Sequence, residues 1–594
     1  MPLSETELFD RARAFVAEDP DSSGRKEILD LVARAEKGDE TARTEIAERF
    51  SAPLAFGTAG LRGRAEAGLA RMNRLVVARA AWGLGLHLLD VAGATGRDPR
   101  RMGVVVGFDA RFSSRAFSEE TAAALAGLGI PVHLFRDPVP TPLAAFAVCH
   151  LGASAGVVVT ASHNPPADNG FKVYRHDGSQ ILAPEDQDIA AAIAKAPAYG
   201  AMSRPSPFDA GRSGLRRAVD DAVAEAYLCG ISAAAYRPAE GPPLRLAYTA
   251  MHGVGARYAL RALARAGFEG VAVEPSQVDP DGSFRTVSFP NPEEPGALDR
   301  VLAVAAETRA DLVLANDPDA DRLAAAVPVA GSGAYRILTG NEVGWLLADE
   351  ALSRADTAGR RPLVITTVVS STLLSRMARD RGAGYAETLT GFKWVADAAR
   401  KAVERGEVPV FGYEEALGYM CGDLVVDKDG ISAAVRLAEM ARGLEGEGKT
   451  LLVRLDEILV AHGMSHQAQW SVIRPGLSGR AELDRAMASL RTEPLETLGA
   501  SPVVRVADFA RGEERDQAGK VTPIDLPRGD MLVFHAEDGG RLVVRPSGTE
   551  PKVKFYLELV TRVQDPGSVA PMRLRLDAEA KTIRATVTSR LGFA

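Results

Sequence analysis

Ser162 stands in the run VVVTASHNPPADNGFKVY (residues 157–174), where a hydroxyl can do chemistry. Val157, Val158 and Val159 predict a short buried strand, and Pro165-Pro166 stops helix or sheet from continuing, so the serine falls on a stiff loop at a strand's C-terminal end. Such loops border the clefts of α/β sheets. With His163 beside it and Lys172 further along, Ser162 is a candidate nucleophile or group carrier. Taken alone, the segment reads equally well as a polar strand-to-loop turn.

A second segment, LVLANDPDADR (312–322), again runs from a short apolar strand into a polar loop. Asp317, Asp319 and Asp321 recur at every second position, a spacing that lets three carboxylates converge on one hard cation. An EF-hand calcium loop would need Gly and Glu where this chain has Arg322 and Pro328, so magnesium is the preferred ion. The plain alternative is a solvated acidic turn; the strand in front of it and Arg322, a suitable phosphate partner, weigh against that.

Three further motifs accompany these two: FGTAGLRG (56–63), GYEEALGY (412–419) and RPSGTEPK (545–552). Together, and in this order, the five resemble the signatures of the α-D-phosphohexomutase superfamily: its N-terminal signature, phosphoserine loop, metal loop, sugar-recognition loop and phosphate-binding loop. GFKWV (391–395) and GYEEALGY are most similar to the branch that includes phosphopentomutases and glucose 1,6-bisphosphate synthases. Better-known members have a serine where this chain has Ala416, which leaves substrate identity open but not the reaction class.

The resemblance implies an α/β fold: three related α/β domains with mixed, mostly parallel sheets and a smaller C-terminal α+β domain, around a central cleft. We place the domains at 1–212 (phosphoserine), 213–334 (metal), 335–468 (sugar recognition) and 469–594 (phosphate binding). It also implies a phosphosugar mutase that works through a phosphoserine and a bisphosphorylated sugar. Glucose 1-phosphate to 6-phosphate is the preferred conversion, with mannose possible. Phosphopentomutase and glucose 1,6-bisphosphate synthase are the alternatives.

The implied catalytic residues are Ser162, His163, Lys172 and Arg62, with Lys172 as the proton acceptor. Ser162, Asp317, Asp319 and Asp321 would hold one Mg2+. Arg322, Gly391, Glu414, Glu415, Arg545, Ser547, Gly548, Thr549 and Lys552 would bind substrate, and a sugar bisphosphate would serve as activator. A carboxylate such as Glu414 can accept from two adjacent hydroxyls. Arg545, with hydroxyls and glycine-permitted N–H groups after it, suits a phosphate.

The 594 residues exceed one core, and 46% hydrophobic with 25% charged residues is ordinary for a globular protein. A net charge of −8, with no basic run interleaved with aromatics, argues against a nucleic-acid partner. Cys149, Cys229 and Cys421 lie far apart and read as small apolar residues. The N-terminus lacks an apolar leader core, and no uninterrupted apolar stretch approaches the roughly 20 residues of a membrane span. We therefore expect a cytoplasmic protein; the resemblance implies a small-molecule phosphosugar as its partner, and a monomer or homodimer is expected.

Strand-then-helix units recur at 102–128 and from 244 onward, further buried strands are predicted at 362–367 and 408–411, and every chemical motif follows a strand. Pro-, Ser- and Gly-rich stretches at 198–214 and 330–335, and a region near 460–480, are the predicted linkers. His252 is predicted to cap or pack at a helix start. GLEGEGKT (443–450) matches the P-loop pattern, but 431–442 before it has helical periodicity where a P-loop needs a strand, so it reads as a glycine-ended helix followed by another helix.

Overall fold

The computed structural model of the protein describes residues 3–57, 60–235, 241–474, 476–547 and 552–593. It divides into two compact units, one of Met1–Thr339 with Ala416–Gly443, the other of Gly340–Glu415 with Leu444–Ala594.

The first unit opens with three helices, Glu5–Glu18, Ser22–Glu36 and Glu40–Phe50. Ser4 and Glu7 cap the first reciprocally, and Asp39 caps the third through the amides of Thr41 and Ala42. Their apolar faces meet in a core of their own around Phe15, Ile28, Val32, Ile46 and Phe50. Phe15 and Phe50 meet edge to face at 5.7 Å.

A six-stranded sheet follows, in the order Leu61–Arg64, Asp168–Arg175, Ala155–Val159, Val104–Phe108, Val132–Leu134, Arg216–Ala218. The last four run parallel; the first two are antiparallel to their neighbours. Val104–Phe108 and Ala155–Val159 are buried at every position because helices cover both faces, hence their unbroken apolar sequence. The strand Arg216–Ala218 carries this sheet past residue 212, the expected domain end.

The helix Arg74–Thr95 has the length and mean composition of a membrane span, but Arg79 and Asp90 interrupt it, in keeping with the expectation that no unbroken apolar stretch approaches that length. Of its apolar stretch 61% is buried inside the protein, against the helices Ser114–Gly127 and Glu185–Ile193.

The second sheet has Leu312–Asn316, Leu246–Thr249 and Ala272–Val273 in parallel, extended by the antiparallel strands Leu323–Pro328 and Tyr335–Ile337. Residues 330–335 form the turn between those last two, closed by Val329 N–H donating to Ala334 O at 2.8 Å, so this Gly-rich stretch is a hairpin end within one sheet.

In the other unit, Gly384–Thr388, Pro362–Thr367 and Val408–Glu414 are parallel. An antiparallel sheet follows, in the order Met464–Ile473, Lys552–Thr561, Arg541–Pro546, Leu532–Ala536, Ser501–Asp508, Glu513–Asp516, Val521–Pro523. The helix Val569–Arg590 packs on its first two strands. This is the predicted class: α/β layers with mostly parallel sheets, then a C-terminal α+β layer. The P-loop look-alike is the end of the helix Gly430–Gly446 and a turn, after which Thr450 caps the helix Leu451–His462.

Phe50→Ala should lower the unfolding free energy by about 3–5 kcal/mol, since a fully buried ring leaves a cavity. Denaturant unfolding followed by Trp82 fluorescence, whose ring packs on this cluster, would show it; a loss under about 1 kcal/mol would mean that the bundle's core is not as tightly packed as its burial indicates.

Candidate active site

Thr160 and Asp109 follow adjacent parallel strands, and the threonine hydroxyl donates to Asp109 Oδ2 at 2.7 Å. Thr160 Oγ1 accepts from the Ser162 amide at 2.8 Å. Ser162 itself has φ 52°, a left-handed conformation that costs a non-glycine residue about 1–2 kcal/mol. The turn directs its side chain inward. Ser162 is 1% exposed, its Oγ donates to Asp317 Oδ2 at 2.8 Å and lies 3.2 Å from His163 Nδ1.

Asp317, Asp319 and Asp321 are buried, with ligand oxygens within 4.8 Å of one another. Alternation along the loop turns them the same way, and Ala320 takes φ 56° to allow it. The loop is held from two sides. Thr141 donates its amide to Asp319 O at 2.9 Å and its hydroxyl to Asp319 Oδ2 at 2.7 Å. Gly253 lies so close beneath that an added Cβ would come 2.4 Å from Pro318 Cα and O. His252, expected to cap or pack at a helix start, lies in the turn before the helix Ala256–Arg265 without capping it; it is buried, with Nε2 2.8 Å from Thr286 Oγ1.

Positive groups face this acid cluster. Lys172 Nζ lies 2.7 Å from Asp319 Oδ2 and 3.0 Å from Asp321 Oδ2, and Lys428 Nζ lies 3.4 Å from Asp321 Oδ2. The Arg322 amide donates to Asp317 Oδ1 at 3.0 Å. Arg62 Nη1 reaches Asn164 Oδ1 at 3.4 Å, while its buried Nε has no hydrogen-bond partner among the described residues. Burial, then the charges of Asp319 and Asp321, push the Asp317 carboxyl well above its ordinary range. Burial would raise Asp321 too, but Lys172, Lys428 and Arg322 hold it low. Burial, with Arg322 and Arg62 nearby, keeps His163 neutral.

Lys172, which the resemblance implies as the proton acceptor, lies against two of the three aspartates. Burial does oppose its charge, but Asp319 and Asp321 outweigh burial and raise its pKa. Lys172 is held here as an ammonium.

The donor set fits a hard cation. Three buried carboxylates converge, and Asp319 Oδ1 and Asp321 Oδ1 are buried with no hydrogen-bond partner among the described residues.

In the other unit, Glu414 ends the strand Val408–Glu414, and its Oε1 accepts from Gly391 N–H at 2.7 Å. Gly391 has φ 115°, outside what a side chain tolerates. Glu415 Oε2 accepts from Ser370 Oγ at 2.9 Å, and the Glu415 amide donates back to that hydroxyl at 3.1 Å. Arg545 lies near the end of the strand Arg541–Pro546, and Ser547 N–H donates to Lys552 O at 2.8 Å, closing the hairpin. Gly548 and Thr549 lie outside the described residues.

Four family models match in order: Phosphoglucomutase/phosphomannomutase alpha/beta/alpha domains I (53–200), II (225–331) and III (339–460), and the C-terminal domain (503–565). The chain belongs to the phosphoglucomutase/phosphomannomutase family. A protein of Haemophilus influenzae named "Probable phosphomannomutase" is 40% identical over 83% of this chain and 94% of its own length. The human phosphopentomutase is 34% identical over 90% and 89%. The crystal structure of a family protein from Burkholderia thailandensis shares the fold, with a TM-score of 0.61 at 22% identity over 89% of this chain and 97% of its own. As a phosphomutase of this family, the chain is an isomerase of the intramolecular phosphotransferase type acting on small sugar phosphates.

Two residues of this phosphomutase site were missed in the sequence. Thr141 follows Pro140 at the start of the helix Thr141–His150, with no local pattern to mark it. Lys428 did carry a signal, since DKDG (427–430) is a charged turn that follows the strand Gly418–Cys421, as the other motifs follow strands.

Without metal, the raised Asp317 binds its proton more tightly folded than unfolded. The stability this contributes is complete below about 3.8, its unfolded value, and is lost as pH rises through the raised pKa. Asp317→Asn should therefore raise the Tm of the metal-free protein at neutral pH and abolish the further rise that magnesium gives the wild type. Thermal melts with and without magnesium test this; an undiminished magnesium shift in the variant would remove Asp317 from the metal site.

Proposed function

We propose that the protein interconverts a sugar 1-phosphate and its 6-phosphate, glucose preferred and mannose accepted, with Ser162 as phosphoryl carrier and a sugar bisphosphate as intermediate and activator. The observation that carries this reading is the 2.8 Å contact between Ser162 Oγ and Asp317 Oδ2, which joins a candidate carrier hydroxyl to a cluster suited to a hard cation. Asp317, Asp319, Asp321 and the phosphoryl oxygens on Ser162 would hold Mg2+, which when bound neutralises charge on the transferring group.

Phosphoryl transfer needs positioning and charge compensation more than covalent chemistry. Arg62 and Arg322 offer guanidinium groups to the phosphoryl oxygens. His163, held neutral, orients the carrier oxygen without adding charge. Lys172, an ammonium in this state, takes part as a proton donor and positive charge. In the first half-reaction the phosphoryl leaves Ser162 Oγ for a free sugar hydroxyl, Lys172 giving a proton to the freed Oγ and taking the one that hydroxyl loses; in the second, the reoriented bisphosphate returns its other phosphoryl to Oγ and the proton goes back to the sugar oxygen.

Glu414, Glu415 and Gly391 are assigned to the sugar. The phosphate that is not being transferred is assigned to Arg545, Ser547, Gly548, Thr549 and Lys552. A pentose phosphate is the second reading, favoured by Ala416, which removes a hydroxyl from the sugar loop, and by the likeness to the human phosphopentomutase.

Ser162→Ala should abolish turnover while leaving the melting temperature within a few degrees, because a loop hydroxyl adds little to the core. Intact mass should show a phosphorylated fraction in the wild type and none in the variant; activity within about tenfold of wild type would remove Ser162 from the mechanism.

The sugar is decided by kcat/KM on glucose, mannose and ribose 1-phosphates, each with its bisphosphate. Glucose should lead; a preference for ribose beyond about tenfold, roughly 1.4 kcal/mol in transition-state stabilisation, would establish the pentose reading instead.

A further inference from the structure

We propose that Arg111 is the positioning residue of the Ser162 loop, holding the backbone that aims the carrier oxygen and thereby setting the rate of phosphoryl transfer. This rests on the reading of Ser162 as carrier.

The need for such a residue is written in the loop. Residues 162–167, SHNPPA, contain two prolines with no N–H to give a neighbour, and they lie between the strands Ala155–Val159 and Asp168–Arg175, outside any ladder. Buried carbonyls there require donors from elsewhere. Arg111, in the turn after the strand Val104–Phe108 and 3% exposed, supplies them. Its Nη2 donates to Ser162 O and Asn164 O, each at 2.6 Å. Its Nη1 donates to Pro165 O at 2.6 Å and Asp168 O at 2.9 Å. Its Nε donates to Asp109 Oδ2 at 3.1 Å.

All five N–H groups of the guanidinium are thus used, four of them on carbonyls of one short loop. Several peptide planes are fixed at once. In a trans peptide the N–H points opposite to the C=O, so holding Ser162 O on Arg111 sets the plane that leads into His163 and helps keep Ser162 at φ 52°. Asp109 supplies the counter-charge and also accepts from Thr160 Oγ1, tying the clamp to the strand that precedes the serine. The ring of Phe284, buried and 5.1 Å from the guanidinium carbon, covers the cation. With every donor committed and its charge balanced, Arg111 acts through the loop and not on the substrate phosphate. A lysine would restore the charge but not the planar fork.

The experiment compares wild type and Arg111→Lys, both dephosphorylated and loaded with magnesium, for the single-turnover rate at which glucose 1,6-bisphosphate phosphorylates Ser162, read by intact mass. We expect transfer to slow by about 100-fold or more, the effect of displacing a reacting atom by about 1 Å. Steady-state KM should stay within about threefold and the magnesium-induced Tm shift should be retained, because the Asp loop is held by other residues. Transfer within about threefold of wild type, or a parallel collapse of KM and the magnesium shift, overturns the proposal. Should Arg111→Lys not fold, Phe284→Leu decides: it leaves the hydrogen bonds and strips the ring from the cation, so transfer slowed about fivefold at unchanged KM supports the clamp and an unchanged rate refutes it. If the wild type itself takes no phosphoryl group, the carrier reading fails and the clamp falls with it, a result distinct from a defect confined to the variants.

Discussion

Three carboxylates buried within 4.8 Å of one another are the constraint to which the rest of the first unit answers. Like charges in a water-poor interior repel strongly, and desolvation adds to the cost. The structure meets this in two ways. Asp317 is pushed toward its neutral form and meets a hydroxyl, Ser162. Asp319 and Asp321 keep their charge because Lys172 and Lys428 are brought against them. Stability is given up at the one place where a cation and a phosphoryl group would restore the balance.

Such a site works only if its loops cannot relax. Ser162 and Ala320 both hold left-handed backbone conformations that favour glycine, so each loop stores strain that its surroundings must sustain. Thr141 fixes the acid loop through main chain and side chain, Gly253 lets the next loop close beneath it, and Arg111 gathers the carbonyls of the serine loop. The loops leave buried parallel strands, so their roots are rigid and their tips are set by a few buried polar contacts.

The other unit uses a similar device. The segment Ser370–Thr372 gathers several partners, among them Glu415 on Ser370 Oγ, Arg541 donating to Ser370 O, and Glu558, which accepts from Ser371 Oγ and the Thr372 amide. Arg541 and Glu558 lie on the paired strands Arg541–Pro546 and Lys552–Thr561, and are themselves 3.3 Å apart. One short buried segment therefore ties the end of the strand Val408–Glu414 to the sheet that carries Arg545 and Lys552. A fully paired buried network of this kind favours one arrangement of its members.

Much of this was legible in the chain because the signals are local. Unbroken valines before TASHNPP and LVLAN before DPDADR mark buried strands that end in polar loops, and alternate aspartates share a face whatever surrounds them. The P-loop look-alike could be dismissed on the periodicity of 431–442 alone. What stayed hidden depended on neighbours distant in sequence. The N-terminal bundle is a matter of which apolar faces meet. The helix Arg74–Thr95 is largely apolar because protein covers most of it. Thr141 reaches Asp319 across 178 residues, and nothing beside it in sequence marks it. Lys172 shows the limit most plainly. Its motif placed it in the site, but whether it keeps its proton is decided by the two carboxylates that folding sets against it, since a charge state follows from the burial and partners of a group and not from its own type.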